Sequence, residues 1–323
     1  MRAVVLRATD QGGVFAVDDV PTPAVAAGKV LVRVRAAGVN RGELITRRNY
    51  RSGPEAINGI EFAGEIEACG DGVTGWSPGA RVMGQARQTM AEFAVVDPRS
   101  LMPIPASFDF IEAAAFPNVF VTSHNAIVTA GGLVAGESVL VNAASSGIGT
   151  AAVQICRILG AKTIISASRT RAKAELTRGL GATHVVGTDE ETLEEAVMAA
   201  TDGRGVDLII DSLGAPFLAQ NLRSLALEGR LVSVGRTAGT VADLDLDLLS
   251  LRRLKMIGVT FRTRSADEAL ACTEACAQDL LPHLLSGAIK PVVDSSFPLE
   301  DIAAAHERLA SNEQVGKIVM VMP

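Results

Sequence analysis

Aromatic side chains are scarce in this sequence: 10 Phe, one Tyr and one Trp stand among 323 residues. Cysteine is scarcer. The four cysteines, at 69, 156, 272 and 276, form no Cys-x-x-Cys pair and lie near no histidine, which excludes a disulfide scaffold and a zinc ribbon and fits a reduced, cytoplasmic compartment. No uncharged run approaches the ~18 residues that cross a bilayer, and the opening MRAVVLRATD lacks the apolar stretch of a leader peptide. Positive charge is also in deficit, with 30 Lys+Arg against 36 Asp+Glu and a net charge of −6. The resulting field disfavours nucleic acid, so neither a nucleic-acid nor a membrane partner is expected.

What is present suits a large globular chain. Apolar residues make up 48% and glycines number 31, and a chain of this length allows about two domains at roughly 150 residues each. Residues 1 to 105 read as short β segments between Gly/Pro turns, such as KVLVRVRAAGVN, FAGEIEACG and MAEFAVV; that alternation predicts an antiparallel, barrel-like unit. From residue 107 the periodicity changes. ESVLVNAA, KTIISAS, DLIIDSLG and GRLVSVG are apolar strands alternating with helices GIGTAAVQICRILG and TRAKAELTRGLG, the pattern of a parallel, doubly wound sheet. Beyond residue 260 the alternation stops, leaving a long helix (SADEALACTEACAQDLLPHLLSG), an extended segment, a short helix and a last strand.

The segment Val139-Leu-Val-Asn-Ala-Ala-Ser-Ser-Gly147-Ile-Gly149 carries the most chemistry. It runs a strand into a turn of small residues and a helix N-terminus, whose N–H groups and partial positive charge suit a pyrophosphate. Ala144 and Ser146 stand where a full Gly-x-Gly-x-x-Gly fingerprint has glycines. At the end of the next strand an acid would bind the ribose of NAD, yet the chain reads Ser168-Arg-Thr-Arg-Ala-Lys173, with no acid before Glu175. Hydroxyls and positive charge there favour NADPH.

In order and spacing, VLVRVRAAGVNRGEL, GIEFAGEIEACGDGV, VFVTSHNAI, VNAASSGIGTAAVQI, GRLVSVG and VGKIVM resemble the zinc-independent quinone oxidoreductases of the medium-chain dehydrogenase/reductase superfamily over the full length. The resemblance implies an α/β protein: a GroES-like β-rich catalytic domain from residues 1–120 and 261–323, and a Rossmann domain from 121–260. It implies NADPH in a cleft between them, reduction of a quinone or enone, and a homodimer or homotetramer. Asn40, Tyr50 and Thr122 become the expected catalytic residues, with Asn40 donating a hydrogen bond to developing enolate charge and Tyr50 bordering the acceptor. Cofactor contacts are expected from Asn40, Thr122, Ser145, Ser146, Gly147, Ile148, Ser168, Arg169, Lys173, Gly235, Phe261 and Lys317.

No metal is expected. Where zinc-bearing relatives carry a Cys after Gly-Val, this chain has Asn40, and where they carry Gly-His-Glu it has Gly59-Ile60-Glu61. The short-chain dehydrogenases, a separate class with a similar glycine turn, need a downstream Tyr-x-x-x-Lys pair; the only tyrosine is Tyr50, upstream. A reductase of α,β-unsaturated aldehydes or ketones is the alternative within the fold. A non-catalytic NADPH-binding structural or nucleic-acid-binding protein is the alternative outside it. His124 stands where relatives have an aromatic ring and is expected to be buried and satisfied, while His184, His283 and His306 read as surface residues without chemistry.

Overall fold

The structure, a computed structural model, describes residues 1–323. Unit 1 comprises Met1–Asn118 and Thr273–Pro323, and unit 2 comprises Val119–Cys272. In chain order, unit 1 begins with β1 (Arg2–Thr9), β2 (Gly12–Asp19), β3 (Val30–Val39), α1 (Arg41–Asn49), β4 (Ala56–Ile57), β5 (Glu61–Cys69), β6 (Arg81–Gln85), β7 (Phe93–Val96), β8 (Leu101–Pro103) and α2 (Phe110–Ala114). α3 (Pro117–His124) leads into unit 2, which holds β9 (Ser138–Asn142), α4 (Gly147–Ile158), β10 (Thr163–Ser168), α5 (Arg171–Glu175), β11 (His184–Gly187), α6 (Leu193–Ala200), β12 (Val206–Asp211), α7 (Leu218–Ser224), β13 (Leu225–Ser233), α8 (Leu246–Leu251) and β14 (Lys255–Gly258). α9 (Ala266–Leu285) returns the chain to unit 1, closed by β15 (Val293–Pro298), α10 (Ile302–Ala310) and β16 (Lys317–Val321).

Unit 1 is a seven-stranded sheet in the order β15-β16-β3-β5-β6-β8 with β7 paired on β3, beside a three-stranded sheet β2-β1-β4. Strand alternation decides its core. Along β3, Val30, Val32 and Val34 face inward against Phe62, Ile66 and Ile318, while Arg33 and Arg35 face out to Glu67 and Glu65. β16, from the far end of the sequence, pairs antiparallel with β3, setting Ile318 opposite Val39.

Unit 2 is a six-stranded, all-parallel sheet in the order β11-β10-β9-β12-β13-β14, the Rossmann order 3-2-1-4-5-6. Its central strands β9, β10 and β12 are buried on both faces, so they read as apolar runs without alternation, whereas the edge strand β14 is largely exposed. Ile165, Leu140, Ile209 and Leu231 lie side by side across four strands, each at most 2% exposed.

Three sequence expectations are corrected. Residues 41–49, read within a run of β segments, form α1, because Glu43 at the third helical position reaches back to accept the Asn40 N–H at 2.8 Å. The segment TRAKAELTRGLG is helical only to Glu175, since Thr177 is buried with its hydroxyl bonded to Ser166 Oγ at 2.6 Å and a 3₁₀ turn follows at Arg178–Leu180. The chain re-enters unit 1 at Thr273 rather than at 261. Arg264 Nη2 donates to Asn125 Oδ1 at 2.9 Å and Asn125 Nδ2 to Cys272 Sγ at 3.6 Å, contacts that keep residues 261–272 with unit 2.

Candidate functional site

In unit 2 the strand β9 ends at Asn142 and the chain turns sharply, with Ala143 in the left-handed region at φ 51°. A Cβ at Gly149 would run into the Ala143 carbonyl and the Ala144 Cα, so glycine there lets α4 pack onto the turn. Ser146 caps α4, its hydroxyl accepting from Gly149 N at 3.1 Å. The N–H groups of Gly147 and Ile148 open the helix and have no intrahelical acceptor, which leaves them for an anion. Ser168, at the end of β10, is buried, and its hydroxyl accepts from Ser145 N at 3.1 Å. Arg169 is exposed and Lys173 half-buried at the start of α5. Arg171, to which the sequence assigned nothing, pairs with Glu190 and Glu191. These residues fit a nicotinamide dinucleotide: an unpaired helix N-terminus, a turn of small side chains with no room for a Cβ at Gly149, and no carboxylate on the first turn after β10.

Behind the turn lies Asp211, 3% exposed at the end of β12. Burial pushes its carboxyl above the ordinary range, opposed by hydrogen bonds from Leu213 N–H, Asn142 and Gly214 N–H. Gly235 packs against Ser212 and donates its N–H to the Asp211 carbonyl at 3.2 Å. Phe261 stacks under the Arg264 guanidinium at 5.1 Å. Thr122 is half-buried in α3, and His124 is 2% exposed beside it.

Unit 1 gathers a second set of polar groups around Glu61, which has no exposed surface. Lys317, 4% exposed, donates to Glu61 Oε1 at 2.6 Å, Val39 O at 2.8 Å and Asn40 Oδ1 at 2.8 Å. Asn40 Nδ2 donates to Glu61 Oε1 at 2.9 Å and to Gly38 O at 3.2 Å. Asn118 donates its backbone N–H to Glu61 Oε2 at 2.7 Å and its side chain to Asn40 Oδ1 at 2.8 Å. A Cβ at Gly38 would overlap the Glu61 carboxylate, so Gly38 admits the acid to the backbone of β3.

Three sequence expectations change here. Lys317, expected to approach the cofactor, is buried with its three N–H donors all engaged inside unit 1. Asn40, expected to donate to an acceptor, has both amide hydrogens on Glu61 and Gly38, and it leaves α1 uncapped by its side chain to do so. Tyr50, the residue after α1, is half-buried and donates its hydroxyl to the Pro54 carbonyl. His306, expected on the surface, is 1% exposed and lies 2.8 Å from Glu43, because α10 turns that face toward α1 and the Phe15 ring. Glu61, Asn118 and the Glu43–His306 pair were missed by sequence reasoning. Their signals are single acids and amides in apolar surroundings, and decisive partners lie far away in sequence, 57 positions for Asn118 and Glu61 and 263 for Glu43 and His306.

Residues 26–106 match the alcohol dehydrogenase GroES-like domain, and residues 147–275 match a family described as zinc-binding dehydrogenase. The chain is 32% identical to quinone oxidoreductase of Rattus norvegicus over 310 residues, 94% of this chain and 92% of that protein. It is 34% identical over 320 residues to the spectinabilin polyketide synthase system protein NorB of Streptomyces orinoci, of whose length it spans 14%. Among solved structures, an NAD-dependent alcohol dehydrogenase superposes with TM-score 0.90 at 28% identity, covering 100% of both chains. The mycobacterial Rv1454c complexed with NADPH superposes with TM-score 0.88 at 27% identity, covering 99% of this chain and 100% of that one.

A GroES-like sheet unit and a Rossmann unit with this turn define a nicotinamide-dinucleotide-dependent oxidoreductase of the medium-chain dehydrogenase/reductase superfamily. Within that superfamily the chain belongs to the quinone oxidoreductase family. Zinc, named in one family description, does not fit the residues present. No group of three or more His, Cys, Asp or Glu side chains could hold a metal, Ile60 is an exposed apolar residue, and Glu61 is occupied by Lys317.

Proposed function

We propose that the protein is a zinc-independent, NADPH-dependent reductase of quinones. The observation that carries the cofactor choice is the end of β10, where a buried Ser168 is followed by Arg169 and, within one helical turn, Lys173, with no carboxylate before Glu175. The N–H groups of Gly147 and Ile148 would hold the pyrophosphate, and Arg169 and Lys173 the 2′-phosphate. When bound, the reduced nicotinamide supplies a hydride. Hydride to a quinone leaves an oxyanion that takes a proton from water, giving the hydroquinone, so the chain's task is to orient the acceptor and stabilise that charge. The same demands hold for a conjugated aldehyde or ketone, which is the second acceptor class. The mycobacterial neighbour complexed with NADPH and the quinone oxidoreductase relatives support this reading. Free cysteines suit a cytoplasmic setting, and no helix is long and apolar enough to cross a membrane.

Fluorescence titration of both nucleotides, followed by NADPH oxidation with a panel of quinones and enals, tests the proposal. NADPH should bind tighter than NADH, and Arg169→Ala/Lys173→Ala should weaken NADPH by roughly 10- to 150-fold, the loss of one charge-assisted hydrogen bond of ~1.5–3 kcal/mol. Equal affinities, or an unchanged preference in that variant, refute the cofactor assignment.

A further inference from the structure

The amides around Glu61 have a polarity that one residue dictates. An ammonium can only donate, so the Asn40 atom 2.8 Å from Lys317 Nζ is its carbonyl oxygen. The Asn118 atom 2.8 Å from that oxygen must then be nitrogen. The Asn118 oxygen is thereby turned to accept from Gln85 Nε2 at 3.1 Å, and Gln85 Oε1 accepts from the buried Thr273 hydroxyl at 3.3 Å. Reversing any one amide would set two acceptors or two donors face to face along the series from Lys317 to Thr273.

The two asparagines end in different states. Asn40 has two acceptors for its two amide hydrogens and two donors on its oxygen, a full complement. Asn118 has two amide hydrogens and a single acceptor, Asn40 Oδ1. It is also half-buried rather than enclosed. Its backbone is tied to Glu61 and its carbonyl oxygen to Gln85, so the remaining N–H is held in direction before anything binds. Donation from Gln85 into the Asn118 oxygen polarises that amide and strengthens its N–H as a donor. A fixed, partly desolvated donor is what a developing oxyanion requires.

We propose that Asn118, rather than Asn40, donates the hydrogen bond that stabilises the acceptor's carbonyl oxygen as it takes on negative charge, and that Lys317 is the positioning residue that orients it. This rests on the reading of the protein as a quinone or enone reductase. The acceptor gains the hydride pair, its oxygen becomes anionic and then takes a proton from water, and the cofactor departs oxidised. Asn118 neither gains nor loses a proton.

The test uses the full chain and two readouts. With NADPH and 1,4-naphthoquinone, Asn118→Ala and Asn118→Asp should lower kcat/KM by roughly 10²- to 10³-fold, as loss of one oxyanion donor does, with NADPH affinity within about twofold of the parent. Lys317→Gln, which can face Asn40 with either end of its amide, should lower kcat with little change in KM, and the donor-only Lys317→Arg should restore it. Independently of turnover, 4-nitrophenol titrated with NADP⁺ present should bind as phenolate about tenfold more tightly than as phenol, a preference of ~1.4 kcal/mol, and Asn118→Ala should abolish that preference. Kinetics and phenolate preference both within twofold of the parent in Asn118→Ala overturn the proposal. If the parent reduces no quinone or enone but shows an Asn118-dependent phenolate preference, the donor assignment stands and the substrate reading falls. If neither appears, both fall.

Discussion

Each unit encloses one carboxylate at a strand end, and the two are held by different means. Glu61, at the start of β5, faces the Lys317 ammonium at 2.6 Å together with two asparagines. Asp211, at the end of β12, is held by neutral donors alone, among them two backbone N–H groups and the Asn142 amide. A full opposite charge ties two distant parts of the chain together and sets the direction of every amide around it. Neutral donors fix a loop locally and leave burial to push the carboxyl up. The Glu61 site is therefore the one that should respond to loss of its partner, and the Asp211 site the one that should respond to pH.

Lys317→Met gives the largest expected effect. It leaves Glu61 buried without its cation, and removal of one partner of a buried pair costs roughly 3–5 kcal/mol, read from urea unfolding. Glu61→Gln/Lys317→Met should recover more than half of that loss. A cost under about 1 kcal/mol in the single variant would erase the distinction between the sites. Next is Gly149→Val, which overpacks the turn in unit 2. It should cost roughly 1–3 kcal/mol and weaken NADPH binding, with the Glu61 network untouched.

Asp211 supplies the pH test. A raised native carboxyl means that the folded chain holds the proton more tightly than the unfolded one. Its contribution to stability therefore falls as pH rises from the ordinary value of 3.8 through the higher native one. Asp211→Asn removes that decline, so its urea midpoint should gain on the parent's across this window, by at most about 1.4 kcal/mol per pH unit. A constant offset between the two proteins would show that Asp211 does not titrate differently on folding. The smallest effect is expected from Arg171→Ala. Its pairs with Glu190 and Glu191 are solvent-exposed and should contribute no more than about 1 kcal/mol, diminishing with salt.

The two units were not equally legible. In unit 2, the central strands show as uninterrupted apolar runs and the turn Ala143–Gly149 is contiguous, so a parallel, doubly wound sheet and the cofactor turn could be read directly, while the short strands β11 and β14 and the strand order could not. α5 was overextended because the sequence does not show that Thr177 is buried beneath Ser166. In unit 1 the strands were visible from alternation, but α1 was not. Its length of nine residues is set by a reach-back from Glu43 and by packing against α10, which begins at residue 302. The candidate site divides along the same line, with Ser145, Ser146, Gly147 and Ser168 legible and Asn118 and Glu61 hidden.

The sequence by itself determined the strand and helix periodicities, the glycine turn and the absence of a carboxylate after β10, because each depends on neighbours a few positions apart. Only the tertiary structure decided what becomes of Asn40, Glu61, Asn118 and Lys317. These residues lie in segments up to 277 positions apart and meet because β16 pairs with β3 and the start of α3 lies against Glu61. Which amide keeps a free hydrogen depends on where the one donor-only cation sits, and no local pattern in the chain encodes that position.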